Sequence, residues 1–236
     1  MSMHSKDKLP GTIGGLVAAE ENEDSSDDGL IQSGLTNVNT SPESAGPGQD
    51  GILIQDRLRA ADMLVPGSRL GPNFQDDYRR IKRPLLSNAF GKSASLVERG
   101  NLILVTSSIP GEGKTHTTVN LALSIAQERD HTVLLVDCDV EKQGVTRMLG
   151  LAGRSGLTDL LENSNKNIGD VLLRTDVAEL TFLCAGKQHG YVTELVASQR
   201  MSSLVDEMVS RYDDRVIICD GPPLLPTPQT HELAEL

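Results

Sequence analysis

Residues Leu102-Ile-Leu-Val-Thr-Ser-Ser-Ile-Pro-Gly-Glu-Gly-Lys-Thr115 join an apolar run to a glycine-rich turn, and the helical pattern Thr118-Val-Asn-Leu-Ala-Leu-Ser-Ile-Ala126 follows at once. A loop between a buried strand and a helix N-terminus aims several backbone N–H groups at an anion. Within Ser108-Ile-Pro-Gly-Glu-Gly-Lys-Thr115, Lys114 adds a mobile positive charge over the outer phosphates and Thr115 offers a hydroxyl to Mg²⁺. The usual phosphate-loop pattern begins with Gly where this chain has Ser108, so the strand–loop–helix context carries the reading. The expected phosphate-contacting stretch is Pro110, Gly111, Glu112, Gly113, Lys114, Thr115 and His116, with the His116 imidazole itself expected to face solvent.

Working outward, apolar runs and helical periods alternate. The pattern predicts strands over 102–107, 132–137, 180–184 and 215–219, and helices over 114–128, near 144–149 and 156–162, and over 193–211. Runs such as Val133-Leu-Leu-Val136 and Val216-Ile-Ile-Cys219 do not alternate with polar residues, as expected of central strands covered on both faces. The fold class is therefore α/β, a mostly parallel sheet flanked by helices. Upstream, Ile52 to Leu64 has helical spacing closed by Pro66-Gly67. A second helical stretch, Asp76 to Arg83, meets Pro84 as a kink or boundary before Leu85 to Phe90. Three regions are expected: an acidic disordered tail over 1–50, a helical segment over 51–100 and a nucleotide-binding domain over 101–236.

Two carboxylate sites lie just past buried strands, where an α/β sheet presents its ligands. These are Asp137-Cys-Asp139 and Asp220, the latter preceding Gly221-Pro-Pro223. A single strand-end Asp is most often a helix cap or turn former. Three of them downstream of a phosphate loop point instead to a metal and to positioning of water or a hydroxyl. Phosphoryl transfer spreads negative charge over phosphate oxygens, so it calls for N–H donors, a cation and a divalent metal on hard oxygen ligands. Lys114, Thr115, Asp137, Asp139 and Asp220 supply each kind of group.

The tail is rich in Ser, Gly, Asn, Asp and Glu and has no aromatic residue, a composition that does not bury a core. Much of the net charge of −11 lies there, which disfavours non-specific binding to nucleic acid or an anionic membrane. The longest apolar runs are strand-length, short of the roughly 20 residues that cross a bilayer, and no signal-peptide core follows Lys6 and Lys8. We therefore expect a cytoplasmic protein. Cys138, Cys184 and Cys219 lie in or at the ends of apolar runs without CxxC spacing, which reads as buried thiols in a reduced compartment.

The trio Ser108-Ile-Pro-Gly-Glu-Gly-Lys-Thr115, Val133-Leu-Leu-Val-Asp-Cys-Asp-Val140 and Val216-Ile-Ile-Cys-Asp-Gly-Pro-Pro-Leu-Leu225 resembles the Walker A, Walker A′ and Walker B motifs of the bacterial tyrosine kinases that regulate capsule and exopolysaccharide synthesis. Tyr78-Arg-Arg-Ile-Lys-Arg-Pro-Leu-Leu86 and His131-Thr-Val-Leu-Leu-Val-Asp137 are especially similar to the autokinases encoded with exosortase-linked polysaccharide loci. The resemblance covers roughly residues 52–236 and implies a P-loop NTPase that uses ATP and Mg²⁺. It implies metal contacts by Thr115, Asp137 and Asp220, a Walker A′ role for Asp137 and Asp139, and catalysis by these groups with Lys114. It further implies that Asp77, Arg80 and Arg83 occupy the places of a helical ExxRxxR pattern that binds a neighbouring subunit in a ring; a solvated charged face is the plainer reading of the same residues. The implied partner is a membrane polysaccharide co-polymerase, or chain-length determinant, that would hold the kinase peripherally at the inner membrane.

Departures from the family are equally specific. The resemblance implies further strands and helices after Walker B, then a tyrosine-rich tail, whereas Leu236 follows shortly after Asp220; the C-terminal part of the domain is expected to be missing. Only Tyr78, Tyr191 and Tyr212 are present, and Tyr191 and Tyr212 are expected to pack their rings and expose their hydroxyls. Glu141-Lys-Gln143 stands where the family often has Arg-Arg or Arg-Pro. The expected activity is ATP-dependent tyrosine autophosphorylation in exopolysaccharide production. The alternatives are a non-catalytic ATP-binding assembly module and a partition-type ATPase, the second disfavoured because that group carries a second loop Lys where Ile109 stands.

Overall fold

In the computed structural model, which describes residues 51–91 and 97–236, apolar continuity has become a sheet covered on both sides. The tail read as disordered, residues 1–50, lies outside the described residues. Two helices, α1 (Gln55–Ala60) and α2 (Pro72–Phe90), precede β1 (Leu102–Val105). There follow α3 (Lys114–Ile125), β2 (Thr132–Asp137), α4 (Gly144–Met148), α5 (Leu157–Glu162), a 3₁₀ turn (Ile168–Asp170), β3 (Leu173–Arg174) and β4 (Leu180–Leu183). The chain continues through α6 (Val192–Val196), α7 (Gln199–Ser210), β5 (Arg215–Asp220) and α8 (Gln229–Ala234).

The five strands lie in the order β1-β5-β2-β4-β3. All neighbours are parallel except the short edge strand β3, which runs antiparallel to β4. The last strand in sequence is thus inserted between the first two. Its register sets Asp220 opposite both Val105 and Asp137, so the two acids end their strands at one level. Side chains along β2 alternate between two cores: Val133 and Leu135 belong to one, Leu134 and Val136 to the other. The first core holds Leu121, Leu123 and Ile125 of α3 with Leu58 and Tyr78 of α1 and α2. The second holds Leu157 and Leu160 of α5 and Met201, Leu204 and Met208 of α7.

The expected helix over 52–64 is shorter, because Ile52 instead bridges to Thr175 and Ile54 donates its N–H to Asp176 Oδ1 at 2.9 Å. Beyond the helix, Met63, Leu64 and Val65 are buried as irregular chain. Conversely α2 is longer than expected and passes through Pro84. Pro84 and Arg80 are both exposed, so the carbonyl that loses its helical donor lies on the solvent side where water replaces it. The single helix expected over 193–211 is two helices, since the Ser198 hydroxyl caps α7 by accepting from the Met201 N–H at 3.3 Å.

The segment expected as a separate helical region shares a core with the nucleotide module. Leu64 donates its N–H to the fully buried Asn120 Oδ1 of α3 at 2.8 Å. The buried Lys82 ammonium of α2 donates to the Ser124 carbonyl at 2.5 Å and pairs with Glu128 at 2.6 Å. Asn120→Ala leaves the Leu64 N–H buried without its acceptor, and should lower stability by about 1–3 kcal/mol. Urea unfolding checks this as a lower midpoint at unchanged slope; an unmoved midpoint would show that the segment is not held by this bond.

Candidate functional site

The loop between β1 and α3 is bent by two glycines, Gly111 (φ 91°) and Gly113 (φ 89°). A Cβ at either would meet nothing within 4 Å, so the left-handed dihedral rather than space demands glycine. The bend is fixed from within by the Ile109 N–H, which donates to Glu112 Oε2 at 3.0 Å, and by the Ser107 hydroxyl, which donates to the Ile109 carbonyl at 2.9 Å. It is braced from outside, where the Leu224 N–H donates to the Ser107 carbonyl at 2.8 Å. The loop therefore delivers the free N–H groups of the first turn of the 12-residue helix α3 to the carboxyl edge of the sheet.

Five predicted residues converge there. The Lys114 ammonium donates to Asp139 Oδ2 at 2.9 Å and lies 3.8 Å from Asp220 Oδ2. The Thr115 hydroxyl donates to Asp220 Oδ2 at 2.7 Å. Asp137 accepts the Thr146 N–H on Oδ2 at 2.8 Å, while its buried Oδ1 has no hydrogen-bond partner among the described residues. Asp139 Oδ1 accepts the Lys142 N–H at 3.1 Å. Pro110, Gly111, Glu112 and Gly113 form the exposed lip of the loop.

His116 departs from expectation. Its ring meets Phe74 edge-on at 5.9 Å and lies 3.2 Å from the Asn120 amide, packed toward α2 rather than facing solvent. Asp77, Arg80 and Arg83 stay on the exposed face of α2, with Arg80 Nη1 4.0 Å from Asp77 Oδ1. Sequence reasoning missed Thr118, whose hydroxyl donates to Asp220 Oδ1 at 3.0 Å. Its position one helical turn after Thr115 was the available signal. It also missed Gly144, where a Cβ would sit 3.0 Å from the Thr115 hydroxyl oxygen and 3.6 Å from Asp220 Oδ2, so a larger residue at the start of α4 would press on the Thr115 side chain.

Electrostatics follow from burying three acids beside one cation. Burial pushes the Asp137 carboxyl up to about 7 against the pull of its Thr146 bonds, with the charges of Asp220 and Asp139 adding. Burial also raises Asp220, while Lys114 and the two threonine hydroxyls pull it back. Among the described residues no three His, Cys, Asp or Glu side chains are grouped to hold a metal by themselves. The donor set, one hydroxyl and strand-end carboxylates with an unbonded oxygen on Asp137, fits a hydrated hard cation that also takes ligands from a phosphate.

A glycine-bent loop at a strand–helix junction, its Lys beside two buried acids at the carboxyl edge of the sheet, is the site of a P-loop NTPase. Residues 100–234 match the family described as AAA domain, more than half of the chain, and the chain belongs to that family. It is similar to the tyrosine-protein kinase Ptk of Acinetobacter johnsonii, 32% identical over 127 residues that make up 54% of this chain and 17% of that one. It is also similar to the tyrosine-protein kinase YwqD of Bacillus subtilis, 33% identical over 150 residues, 64% of this chain and 59% of the other. Among solved structures, the VpsO kinase domain superposes with a TM-score of 0.52 at 31% identity, covering 69% of this chain and 78% of that domain. The chain thus spans less than a fifth of the Acinetobacter kinase and resembles the kinase domains of this group in both sequence and fold.

The sign of the Asp137 shift gives a test. The folded protein holds this proton more tightly than the unfolded chain, so the group favours folding most below its ordinary value of 3.8 and that contribution is lost as pH rises through about 7. Asp137→Asn, which keeps an acceptor for the Thr146 N–H and cannot ionise, should melt higher than the parent at about pH 8 in metal-free buffer, with the gap closing toward about pH 5. Thermal melts read this at roughly 2–4 °C per kcal/mol. A variant less stable than the parent at the higher pH contradicts the electrostatic account.

Proposed function

We propose that this chain is an ATP-dependent protein-tyrosine kinase domain that transfers the γ-phosphoryl group of Mg²⁺-bound ATP to tyrosine hydroxyls in the control of exopolysaccharide production. The observation that carries the reading is the convergence of Lys114, Thr115, Asp139 and Asp220 within 3.8 Å contacts behind a left-handed glycine loop. The tyrosine-kinase names of its relatives support the choice of acceptor.

In this reading the amides from Gly111 to His116 bind the phosphates. Lys114 would exchange its contact with Asp139 for the outer phosphate. Thr115, Asp137 and Asp220 would hold a magnesium ion, which would supply charge neutralisation for the leaving and transferred groups. Asp139, released by Lys114, keeps the loop to Lys142 in place. The Oδ1 of Asp137, which has no hydrogen-bond partner among the described residues, would face either the metal or the attacking hydroxyl.

The exposed row Asp77, Arg80 and Arg83 is proposed as a self-association face, and a membrane polysaccharide co-polymerase as the partner that brings the domain to the cytoplasmic side of the inner membrane. No helix among the described residues is long and apolar enough to cross a membrane, in keeping with attachment through a partner. Nucleic acid is not a proposed partner, given the net charge of −11.

Incubation with Mg²⁺-ATP, read by phosphotyrosine detection, tests the activity: Lys114→Ala should reduce the signal at least about 100-fold, the scale on which a lost transition-state cation costs. ATP binding and nucleotide-dependent association without any phosphotyrosine would select the assembly-module reading instead. Arg80→Glu with Arg83→Glu should shift sedimentation of the protein toward monomer without changing its melting temperature; unchanged sedimentation removes this face from the proposal.

A further inference from the structure

The chain has three tyrosines, and the structure separates them sharply. Tyr78 is 6% exposed, its ring packed 5.1 Å from Phe74 in the core under α2. Tyr212 is 41% exposed, but the Arg215 guanidinium covers its ring at 3.8 Å from the centroid, with Arg211 at 5.9 Å. Tyr191 is 53% exposed, against the expectation that its ring would be packed. It follows Gly190 and precedes α6 on the turn that leaves β4 at the carboxyl edge of the sheet, the edge that also carries the phosphate loop.

Its surroundings are built around the hydroxyl. The Tyr191 phenol donates to Glu162 Oε1 at 3.2 Å, and the same oxygen lies 3.0 Å from His189 Nδ1. The His189 ring sits 5.6 Å from the Tyr191 ring. The turn is tied to the catalytic edge, because the Gln188 amide donates to the Glu141 carbonyl at 2.6 Å, two residues beyond Asp139. A cavity of about 260 Å³ opens there, lined by Val140 and Glu141 from the loop after β2 and by Gln188, His189 and Val192 from the turn and the start of α6.

We propose that Tyr191 is a phosphoacceptor of this domain, modified by a second copy of the chain; this rests on the kinase reading above. The phenol is engaged by Glu162 on the open side of the turn, and a hydroxyl presented outward in this way reaches a phosphate loop on another molecule. In the transfer the phenolic oxygen bonds to the γ-phosphorus of ATP, the bond from that phosphorus to the bridging oxygen of ADP breaks, and the phenolic proton passes to a carboxylate of the copy that holds the nucleotide. The product carries a charge near −2 beside the Glu162 carboxylate. Repulsion there breaks the Tyr191–Glu162 bond and frees the turn that borders Val140 and Glu141, so the modification alters the edge next to Asp139.

The experiment uses the full chain with Mg²⁺-ATP, phosphopeptide mapping, and an added random Glu–Tyr copolymer as an independent acceptor. Tyr191 should carry the dominant phosphotyrosine. Tyr191→Phe should lose that self-labelling while still labelling the copolymer at the parental rate, and Tyr212→Phe should lose neither. Mixing active Tyr191→Phe protein with Lys114→Ala protein should label the latter at Tyr191. A copolymer labelled while Tyr191 stays unmodified, or labelling of Tyr191 only within one copy, overturns the proposal. Labelling of neither chain nor copolymer removes the kinase reading itself, and this site with it.

Discussion

Three buried acids, Asp137, Asp139 and Asp220, meet at the carboxyl edge of the sheet, where the Lys114 ammonium contacts only Asp139 and Asp220, and much else in the molecule is arranged around that imbalance. Placing carboxylates in a protein interior is costly unless each is paired or bonded. Here Asp220 takes hydroxyl donors from Thr115 and Thr118, Asp139 takes Lys114 and a backbone N–H, and Asp137 is held by Thr146 alone. The shortage of positive charge is greatest at Asp137, and that is the acid whose proton affinity rises furthest, to about 7. A site short of cation on one side and rich in helix-start amides on the other would take a phosphate most readily together with a further cation, which is the electrostatic argument for the divalent ion in the proposed function.

The imbalance is built by strand order. Because β5 lies between β1 and β2, Asp220 stands level with both Val105 and Asp137. Moving β5 to the outside of β1 would keep every local sequence preference and separate the two acids by a strand. The insertion also places β5 where both of its faces are covered, which is why Val216, Ile217, Ile218 and Cys219 are all apolar.

That distinction marks what could be read from the sequence. The strands at 102, 132, 180 and 215, the phosphate loop, and the grouping of Lys114, Thr115, Asp137, Asp139 and Asp220 were legible, because each rests on a local pattern of polarity or on residue chemistry at a strand end. Strand order was not, since a parallel neighbour is chosen by contacts far along the chain. The two-residue strand β3 and the six-residue α8 are too short to show a period. The break between α6 and α7 rests on the Ser198 hydroxyl, which donates back to the Leu195 carbonyl and accepts the Met201 N–H of α7, and a serine alone in a helical pattern does not announce this. Whether Pro84 interrupts the helix or ends it was left open for a similar reason: a missing helix bond costs least where water can replace it, and Pro84 is exposed. The exposure of Tyr191 came from tertiary structure as well, because nothing in its neighbours in sequence distinguishes a packed ring from a presented one.

The position of α3 links these levels. Its first turn carries Lys114, Thr115 and Thr118 into the acid cluster, its middle takes the Leu64 N–H on Asn120, and its last turn offers the Ser124 carbonyl to Lys82. The helix is therefore fixed at three heights by groups that are buried, two of them from the segment that precedes β1. Burying an ammonium such as Lys82 is favourable only while both acceptors stay in reach, so α2 tolerates little sliding along α3. The same constraint sets the exposed row of Asp77, Arg80 and Arg83 at a fixed angle to the phosphate loop, since α2 is one continuous helix through Pro84. If that row meets another copy of the chain, as proposed, its precision comes from the rigidity that the buried Lys82–Glu128 pair gives α2.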